Sequence, residues 1–349
     1  MNRLERKNDL CVKIHAWGGK MSAANDISII AKTNRAEIYE FLFKNGDSSI
    51  ARISAEIGLS LPAVTRAIEV GIDQGLFMVK NIVGAARGRK AKIYGLNPDC
   101  GHSVSLYIAK DDVIVTLKDF TAKTIKTENI SIIPVDIVSQ IDSIIEKYRQ
   151  ADKYIKFIFV IISGDVHEGK IIACSAHPQL ISYDLKKHLK DKFQLITLVE
   201  NDMFASVTSG FKYADNPVNE IIVTFLFGQY VCGAGLMINN VPFKGASGRQ
   251  FSLGELPYYK HIKKALPYIA SKLKSIIILL NPHTVILINK DNFISCDELI
   301  SEVKKDLPPE LIPTFYERNK FMEYCITGMI RLCIEEIKQA IIEDSTSTL

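Results

Sequence analysis

The sequence predicts an α/β protein that carries a small helical unit near its N-terminus. The chain has 349 residues, of which 47% are hydrophobic, and this is enough for two or three packed domains. Capping signals and helical spacing mark three short helices after Asn34, and two extended stretches follow them. After Pro98, strand-like alternation and helical patterns are interspersed, which is typical of an α/β body with two lobes.

The N-terminal unit is predicted to be a winged helix-turn-helix over residues 34–99. Its second helix, Ile50–Ile57, follows the capping residue Ser49. Its third helix follows Ser60 and has Pro62 in the first turn, where the missing N–H costs nothing. Three helices followed by a two-stranded wing describe this motif. A plain three-helix bundle is the alternative, but it would not need the wing or its charges.

The excess positive charge lies in this part of the chain. The formal net charge is +4, and residues 1–100 contain 15 Lys and Arg against 10 Asp and Glu, while the remainder contains 28 against 29. The segment Val79–Pro98 has no acidic residue. Its five cations are Lys80, Arg87, Arg89, Lys90 and Lys92. A basic head on a neutral body indicates an anionic polymer as partner, here double-stranded DNA.

The third helix of the unit is expected to enter the major groove. The residues opposite its apolar stripe are the predicted DNA contacts: Ser60, Pro62, Ala63, Thr65 and Arg66. Arg66 would either read a guanine edge or hold a phosphate, and both alternatives stay open. In the wing, Arg87, Gly88, Arg89 and Lys90 resemble the core of an AT-hook, which favours a narrow, A·T-rich minor groove. The alternative is a solvated basic loop with non-specific attraction only.

The bulk composition excludes several classes of protein. Seven scattered cysteines without a Cys-x-x-Cys pair argue against a disulfide scaffold and a zinc knuckle, and favour reduced thiols. The N-terminus lacks a signal-peptide core, and the apolar runs are too short to span a bilayer. The sequence therefore predicts a cytoplasmic protein with no membrane partner.

Motifs in the chain resemble those of one family in order from about residue 34 to 340. After the helical head and RGRKAKIYGLNP, they are VIISGDVHEGKIIAC (160–174), VENDMFASV (199–207), GAGLMINNVPFKGASG (233–248), GEL (254–256) and NPHTVILIN (281–289). Together they resemble the ROK family of repressors, open reading frames and kinases, and especially its sugar-responsive repressors. The resemblance implies a two-lobed sugar-kinase/actin-like body, with lobes over 100–200 and 201–349 and the C-terminal helix packing back. Residues 1–33 have no assigned role, and no internal repeat is visible.

Departures from the family pattern argue against an enzyme. Where family kinases have an acidic phosphate loop rich in glycine, this chain has SLYIAKDDV, with Tyr107 at the acidic position and Ala109-Lys110 in place of glycines. The second phosphate loop reads GQYVCGAG, and Gly233 and Gly235 are expected to serve only a turn or a close backbone crossing. The family's zinc set of one His and three Cys is missing. We therefore expect no cofactor, no metal and no phosphoryl transfer.

A sugar site is the remaining functional expectation. By resemblance, Asn201, Asp202 and Glu255 correspond to the family residues that accept sugar hydroxyls. Amides and carboxylates suit hydroxyl groups chemically. The alternative is that Asn201-Asp202 is an ordinary helix N-cap and Glu255 a solvated acid.

Taken together, the residues and the resemblance predict a transcriptional regulator of sugar-metabolism genes, of the repressor type, acting as a homodimer or homotetramer on a palindromic operator. A sugar in the cleft would bias lobe closure and so change DNA affinity. Two alternatives remain: a regulator with a vestigial cleft that is controlled by a protein partner, and an active sugar kinase that carries a DNA-binding head.

Overall fold

The computed structural model describes residues 23–83, 91–133, 136–209, 220–228, 232–246, 251, 253, 265–290 and 292–343. The chain divides into two units. The first contains the described residues up to Gly95 together with those from Lys338 onward, and the second extends from Leu96 to Ile337.

The first unit contains three helices and a small sheet. Its elements are α1 (Ala23–Asn45), β1 (Ser48–Ser49), α2 (Ile50–Ile57), α3 (Leu61–Asp73), β2 (Phe77–Val83) and β3 (Ala91–Leu96), with strand order β1-β3-β2. The predicted caps are confirmed, because the side-chain oxygen of Ser49 accepts from the backbone N–H of Arg52 and that of Ser60 from Ala63. Gly58 adopts φ 73° directly after α2, which permits the tight turn into α3.

Apolar side chains from all three helices form the core of this unit. Buried members are Ile38, Leu42, Ile53, Val64 and Ile68, together with Leu76, which follows α3. Gly71 of α3 allows a close approach, since a Cβ there would lie 2.2 Å from the ring of Phe77. Helix α1 begins at Ala23, well before the expected start near Asn34. Its early residues Ile29 and Ile30 are exposed, so they add nothing to the buried stripe from which the helix was predicted.

The second unit contains two lobes, each built on a mixed five-stranded sheet. The first lobe contains β4 (His102–Ile108), β5 (Asp112–Lys118), β6 (Thr124–Ser131), α4 (Ile137–Ala151), β7 (Ile155–Ile162), β8 (Asp165–His167), β9 (Lys170–Ala173), α5 (Leu185–Phe193) and β10 (Ile196–Asn201). Its sheet has the order β10-β7-β4-β5-β6, in which β4, β7 and β10 are parallel. Its core is formed by aliphatic residues of these strands packed against α4 and α5.

Helix α6 (Asp202–Thr208) follows β10, and the second lobe follows α6. Its elements are β11 (Ile221–Phe227), β12 (Cys232–Ile238), β13 (Val241–Phe243), α7 (Ala265–Leu280), β14 (Thr284–Asn289), α8 (Cys296–Lys304) and β15 (Thr314–Arg318), before the terminal helix α9 (Phe321–Ile342). The sheet order is β13-β12-β11-β14-β15, in which β11, β14 and β15 are parallel.

The two lobes repeat one topology. In each sheet the first three strands form an antiparallel meander, and the fourth and fifth strands lie parallel to the first on its other side. A helix precedes the fourth strand and another precedes the fifth, and in each lobe the fifth strand leads into a further helix, α6 or α9. The structure thus contains an internal repeat that is not visible in the residues.

Two glycines allow α6 to pack closely on its neighbours. A Cβ on Gly235 of β12 would lie 2.6 Å from the carbonyl O of Met203, and one on Gly328 of α9 would lie 1.6 Å from the carbonyl O of Ala205. The expectation that Gly235 serves a close backbone crossing is therefore confirmed. All residues of α6 are buried, so this short helix is enclosed by the surrounding strands and α9.

Candidate functional site

The carboxyl ends of three parallel strands bring together the residues of the candidate sugar site. Ile108 of β4 and Asn201 of β10 are both paired in register with Ile162 of β7. Tyr107, Ser163 and Asp202 therefore meet at one edge of the first-lobe sheet, where ligands of parallel sheets commonly bind. We call Tyr107, Ser163, Asn201 and Asp202 the Asp202 site.

Both polar atoms of the Asn201 side-chain amide form hydrogen bonds with the backbone. Its Oδ1 accepts from the backbone N–H of Phe204 at 3.0 Å, and its Nδ2 donates to the carbonyl O of Gly164 at 2.6 Å. The side chain is buried. It caps α6, which is the structural alternative that the sequence left open beside sugar binding.

Asp202 is a buried carboxylate that is surrounded by protein donors. Its Oδ1 accepts from the backbone N–H of Met203 at 2.8 Å, its Oδ2 faces the Tyr107 hydroxyl at 3.5 Å, and the Ser163 hydroxyl also donates to it. Burial raises the pKa of Asp202 from 3.8 to about 6, although these hydrogen bonds and the nearby ammonium of Lys290 favour the ionised form.

Tyr107 occupies the position at which the family resemblance places an acid. The phenol is buried. Burial and the neighbouring Asp202 raise the pKa of Tyr107, so its hydroxyl keeps its proton and acts toward the carboxylate as a hydrogen-bond donor. Its ring meets Phe321 of α9 edge-on, with ring centroids 6.4 Å apart and planes at 85°. The Ala109-Lys110 loop behind it is fixed by buried His177, whose Nε2 donates to the carbonyl O of Ala109 at 2.6 Å.

An ion pair beside the site was not predicted from the sequence. The Nζ of Lys244 lies 2.9 and 2.7 Å from the two carboxylate oxygens of Glu200 and 4.3 Å from the ring centroid of Phe204. Burial raises the pKa of Glu200 even though Lys244 opposes the shift. Lys244 lies within the motif GAGLMINNVPFKGASG and Glu200 within VENDMFASV. The sequence indicated the pair only in that each residue belongs to a motif of the resemblance.

On the first unit, the predicted DNA contacts surround the start of α3. Ser60 and Pro62 are exposed, Ala63 and Thr65 are half-buried, and Arg66 is exposed. The Thr65 hydroxyl donates to the carbonyl O of Leu61 at 2.8 Å, so it is partly engaged within the helix.

Several predicted site residues lie outside the described part of the chain. They are Arg87, Arg89 and Lys90 of the predicted wing and Glu255 of the predicted sugar site. Tyr230 and Val231, which interrupt the second phosphate-loop motif, also lie outside the described part. Within the described ranges, no three His, Cys, Asp or Glu side chains are grouped so that they could hold a metal ion. Nor is any helix in those ranges long and apolar enough to cross a membrane.

Comparisons with known proteins agree with this architecture. The ROK family model matches residues 104–263, and no curated protein sequence matches the chain significantly. A ROK family transcriptional regulator, described as a homolog of the Escherichia coli Mlc protein, has a similar structure with a TM-score of 0.67 and 14% identity, over 90% of this chain and 97% of that one.

Two further ROK structures match the body. A ROK family protein from Streptococcus pneumoniae, solved with sucrose, gives a TM-score of 0.53 and 17% identity over 68% of this chain and 99% of that one. A ROK family glucokinase from Streptomyces griseus, solved with glucose and AMPPNP, gives 0.51 and 13% over 66% and 99%. At these identities the likeness concerns the fold. The likeness to the regulator covers 90% of this chain, whereas the likeness to the other two structures covers 68% and 66% of it. The expected resemblance to the ROK family is confirmed over residues 104–263, where the family model matches.

Proposed function

We propose that the protein is a DNA-binding transcriptional regulator of the repressor type whose body senses a small sugar. The observation that carries this proposal is the combination of a ROK body with an N-terminal unit in which α2, a left-handed glycine turn at Gly58 and α3 precede a two-stranded hairpin. This arrangement fits a winged helix-turn-helix. The likeness to a regulator over 90% of the chain supports the same proposal.

In this proposal α3 reads the major groove, with Arg66 on a base edge or a phosphate. The hydroxyl hydrogen of Ser60 remains free to donate to a phosphate while its oxygen caps α3. The wing cations Arg87, Arg89 and Lys90 would follow the adjacent minor groove at an A·T-rich step. Two copies of the chain would present two heads to a palindromic site.

Substitution of Arg66 tests the DNA-binding part. A labelled duplex is first enriched by the full-length protein from a random-sequence pool, and its affinity is then measured by fluorescence anisotropy. Arg66→Ala is expected to weaken binding by about 5- to 100-fold, since one specific arginine contact contributes about 1–3 kcal/mol. Arg149→Ala, an arginine on α4 of the body, is the matched control and should bind like the wild type. Equal affinities of all three proteins would contradict the proposal.

The sugar part rests on Asn201, Asp202 and Glu255. A sugar hydroxyl that reaches Asp202 would donate to the carboxylate, either at a remaining acceptor position or in place of a protein donor such as the Tyr107 hydroxyl. Calorimetric titration with glucose, N-acetylglucosamine, xylose and sucrose tests this part. A sugar that binds wild type but not Asp202→Asn would support it.

We further propose that the protein does not transfer phosphate. Tyr107 at the acidic position donates a hydrogen bond where the family's phosphate loop calls for a carboxylate, and Ala109-Lys110 replaces glycines that would let backbone N–H groups approach a phosphate. Sugar-dependent turnover of ATP by the purified protein would contradict this and would favour the kinase alternative.

A second candidate function is a regulator with a vestigial cleft that responds to a protein partner. It is favoured by the observation that the amide of Asn201 and the carboxylate of Asp202 are already engaged by groups of the chain itself. Intact operator binding together with no heat from any sugar in the panel would select this candidate.

A further inference from the structure

In the candidate sugar site, the Tyr107 hydroxyl faces Oδ2 of Asp202, an atom that a sugar hydroxyl could otherwise reach. Of the groups facing the carboxylate, the backbone N–H of Met203 is fixed by α6, whereas the Tyr107 hydroxyl is at the tip of a side chain. Its distance of 3.5 Å from Oδ2 is long for a hydrogen bond between two oxygens, whose usual range is about 2.5–3.0 Å. A ligand hydroxyl at normal distance would therefore replace a weak contact with a stronger one.

The same two residues are joined to the start of helix α9. Phe321, its first residue, packs edge-on against the Tyr107 ring, and one turn later the Cys325 thiol donates to the backbone carbonyl O of Asp202 at 3.3 Å. A displacement of Tyr107 changes its contact with Phe321, because the buried Tyr107 ring packs directly on the half-buried Phe321 ring.

Further along, α9 is fixed to α6 and then continues out of the second unit. Gly328 lies against the carbonyl of Ala205, and Arg331 Nη1 donates to the carbonyl O of Thr208 at 2.8 Å. The helix leaves the second unit after Ile337, and its last residues belong to the first unit. There the Nζ of Lys338 lies 2.6 Å from Oε2 of Glu40 on α1. Lys338 and Lys44 together lower the pKa of Glu40.

We infer that Tyr107 is an internal competitor for the effector hydroxyl at Asp202, and that its displacement is transmitted by α9 through Lys338 and Glu40 to the DNA-binding unit. The inference rests on the proposed function and specifies how that function is regulated. Helix α9 has 22 residues, of which Phe321 contacts Tyr107 and Lys338 pairs with Glu40 of α1. An effector shifts the equilibrium because it binds the state in which Tyr107 is displaced and cannot bind the other.

The competitor is tested with Tyr107→Phe, which keeps the ring and removes the hydroxyl. Because this variant leaves the Asp202 carboxylate with one donor fewer, the sugar that binds wild type should bind it about 2- to 10-fold more tightly by calorimetry. Equal or weaker binding by the variant would overturn the inference while leaving sugar sensing in place. If neither protein binds any of glucose, N-acetylglucosamine, xylose and sucrose, sugar sensing itself fails, and the inference fails with it.

The transmission step is tested with Lys338→Gln, which removes the ion pair to Glu40, and Lys338→Arg, which keeps it. Both should bind the sugar within about twofold of wild type, since Lys338 is remote from the Asp202 site. The sugar-induced change in anisotropy of the labelled duplex should be reduced in the Gln variant and restored in the Arg variant. Lys274→Gln, which breaks the Lys274–Asp306 pair of the second unit, is the matched control and should respond normally.

A Lys338→Gln protein that binds DNA and sugar and keeps the full sugar response would overturn the transmission step. A Lys338→Gln protein that does not bind DNA even without sugar would also overturn it. The ion pair would then be needed for the structure of the N-terminal unit and not for its response to the sugar.

Discussion

Asp202 and its neighbours illustrate what single residues reveal in the sequence and what they do not. The N-cap role of Asn201 follows from its place between a strand and a helix, and its hydrogen bond to Phe204 has the geometry of such a cap. The contact between Tyr107 and Asp202 could not be foreseen, because the two residues are 95 positions apart and meet only through the register of β4, β7 and β10. The sequence showed that Tyr107 replaces an acidic residue of the family motif. It did not show that the Tyr107 hydroxyl would be a hydrogen-bond donor toward Asp202.

The raised pKa of Asp202 predicts an unusual pH dependence of stability. Burial lifts the folded-state pKa from 3.8 to about 6, so between these values the native state holds a proton that the unfolded chain releases. The stabilising contribution is complete below pH 4 and is lost as the pH rises through about 6. Raising the pKa of Asp202 from 3.8 to about 6 corresponds to a loss of about 3 kcal/mol of unfolding free energy once the pH is above both values.

Asp202→Asn cannot ionise and should therefore escape this loss. Relative to the variant, the wild type should lose about 1–3 kcal/mol of unfolding free energy between pH 4 and 7, as measured by urea denaturation. Asp306→Asn provides a control of opposite sign, because Lys274 lowers the pKa of the Asp306 carboxylate. A difference between wild type and Asp202→Asn that does not vary with pH would contradict the assignment.

The Glu200–Lys244 pair predicts a second effect at a single residue. Lys244→Ala leaves the shielded Glu200 carboxylate without its partner and should destabilise the protein by about 2–4 kcal/mol in urea denaturation. Lys187→Ala, which breaks the exposed Lys187–Asp191 pair, should destabilise the protein far less, because solvent screens an exposed ion pair. Equal losses in the two variants would show that the Glu200 pair is as solvated as the exposed one.

Among the elements, capped helices and buried strands were predictable, whereas edge elements were not. Helix α2 has the predicted bounds Ile50–Ile57, because a serine cap and a left-handed glycine define its two ends. Strand β6, with the sequence TIKTENIS, and strand β15 are largely exposed edge strands, so neither has the apolar run that marks a strand in the sequence. These strands exist because a neighbour in the sheet pairs with them, and local sequence carries little signal for that.

The crossing of α6 and α9 depends on Gly328. A Cβ at this position would meet the backbone of Ala205, which cannot yield as a flexible side chain would. Gly328→Ala should lower the unfolding free energy by about 2–4 kcal/mol despite the better helix propensity of alanine. Thr327→Ala, on the exposed neighbouring position, should change it by less than about 0.5 kcal/mol. A Gly328→Ala protein as stable as wild type would mean that the two helices have room to separate.

In the whole molecule, the two lobes share one topology although no repeat is visible in the sequence. Strand order repeats between the lobes, but few residues need to be shared, since many apolar sequences satisfy one sheet. The short motifs at strand ends were recognisable because backbone crossings and caps constrain them, as at Gly235 and Asn201. The excess positive charge of residues 1–100 belongs to the unit proposed to bind DNA.

We propose that sugar binding at Asp202 changes the affinity of the N-terminal unit for DNA. The most direct measurement is the anisotropy of the enriched, labelled duplex titrated with full-length protein, with and without the sugar that binds in calorimetry. We expect this sugar to change the dissociation constant by at least about 5-fold, and Asp202→Asn to bind the same duplex without responding to the sugar. If the DNA affinity stays the same when the sugar site is saturated, sugar binding does not regulate the N-terminal unit.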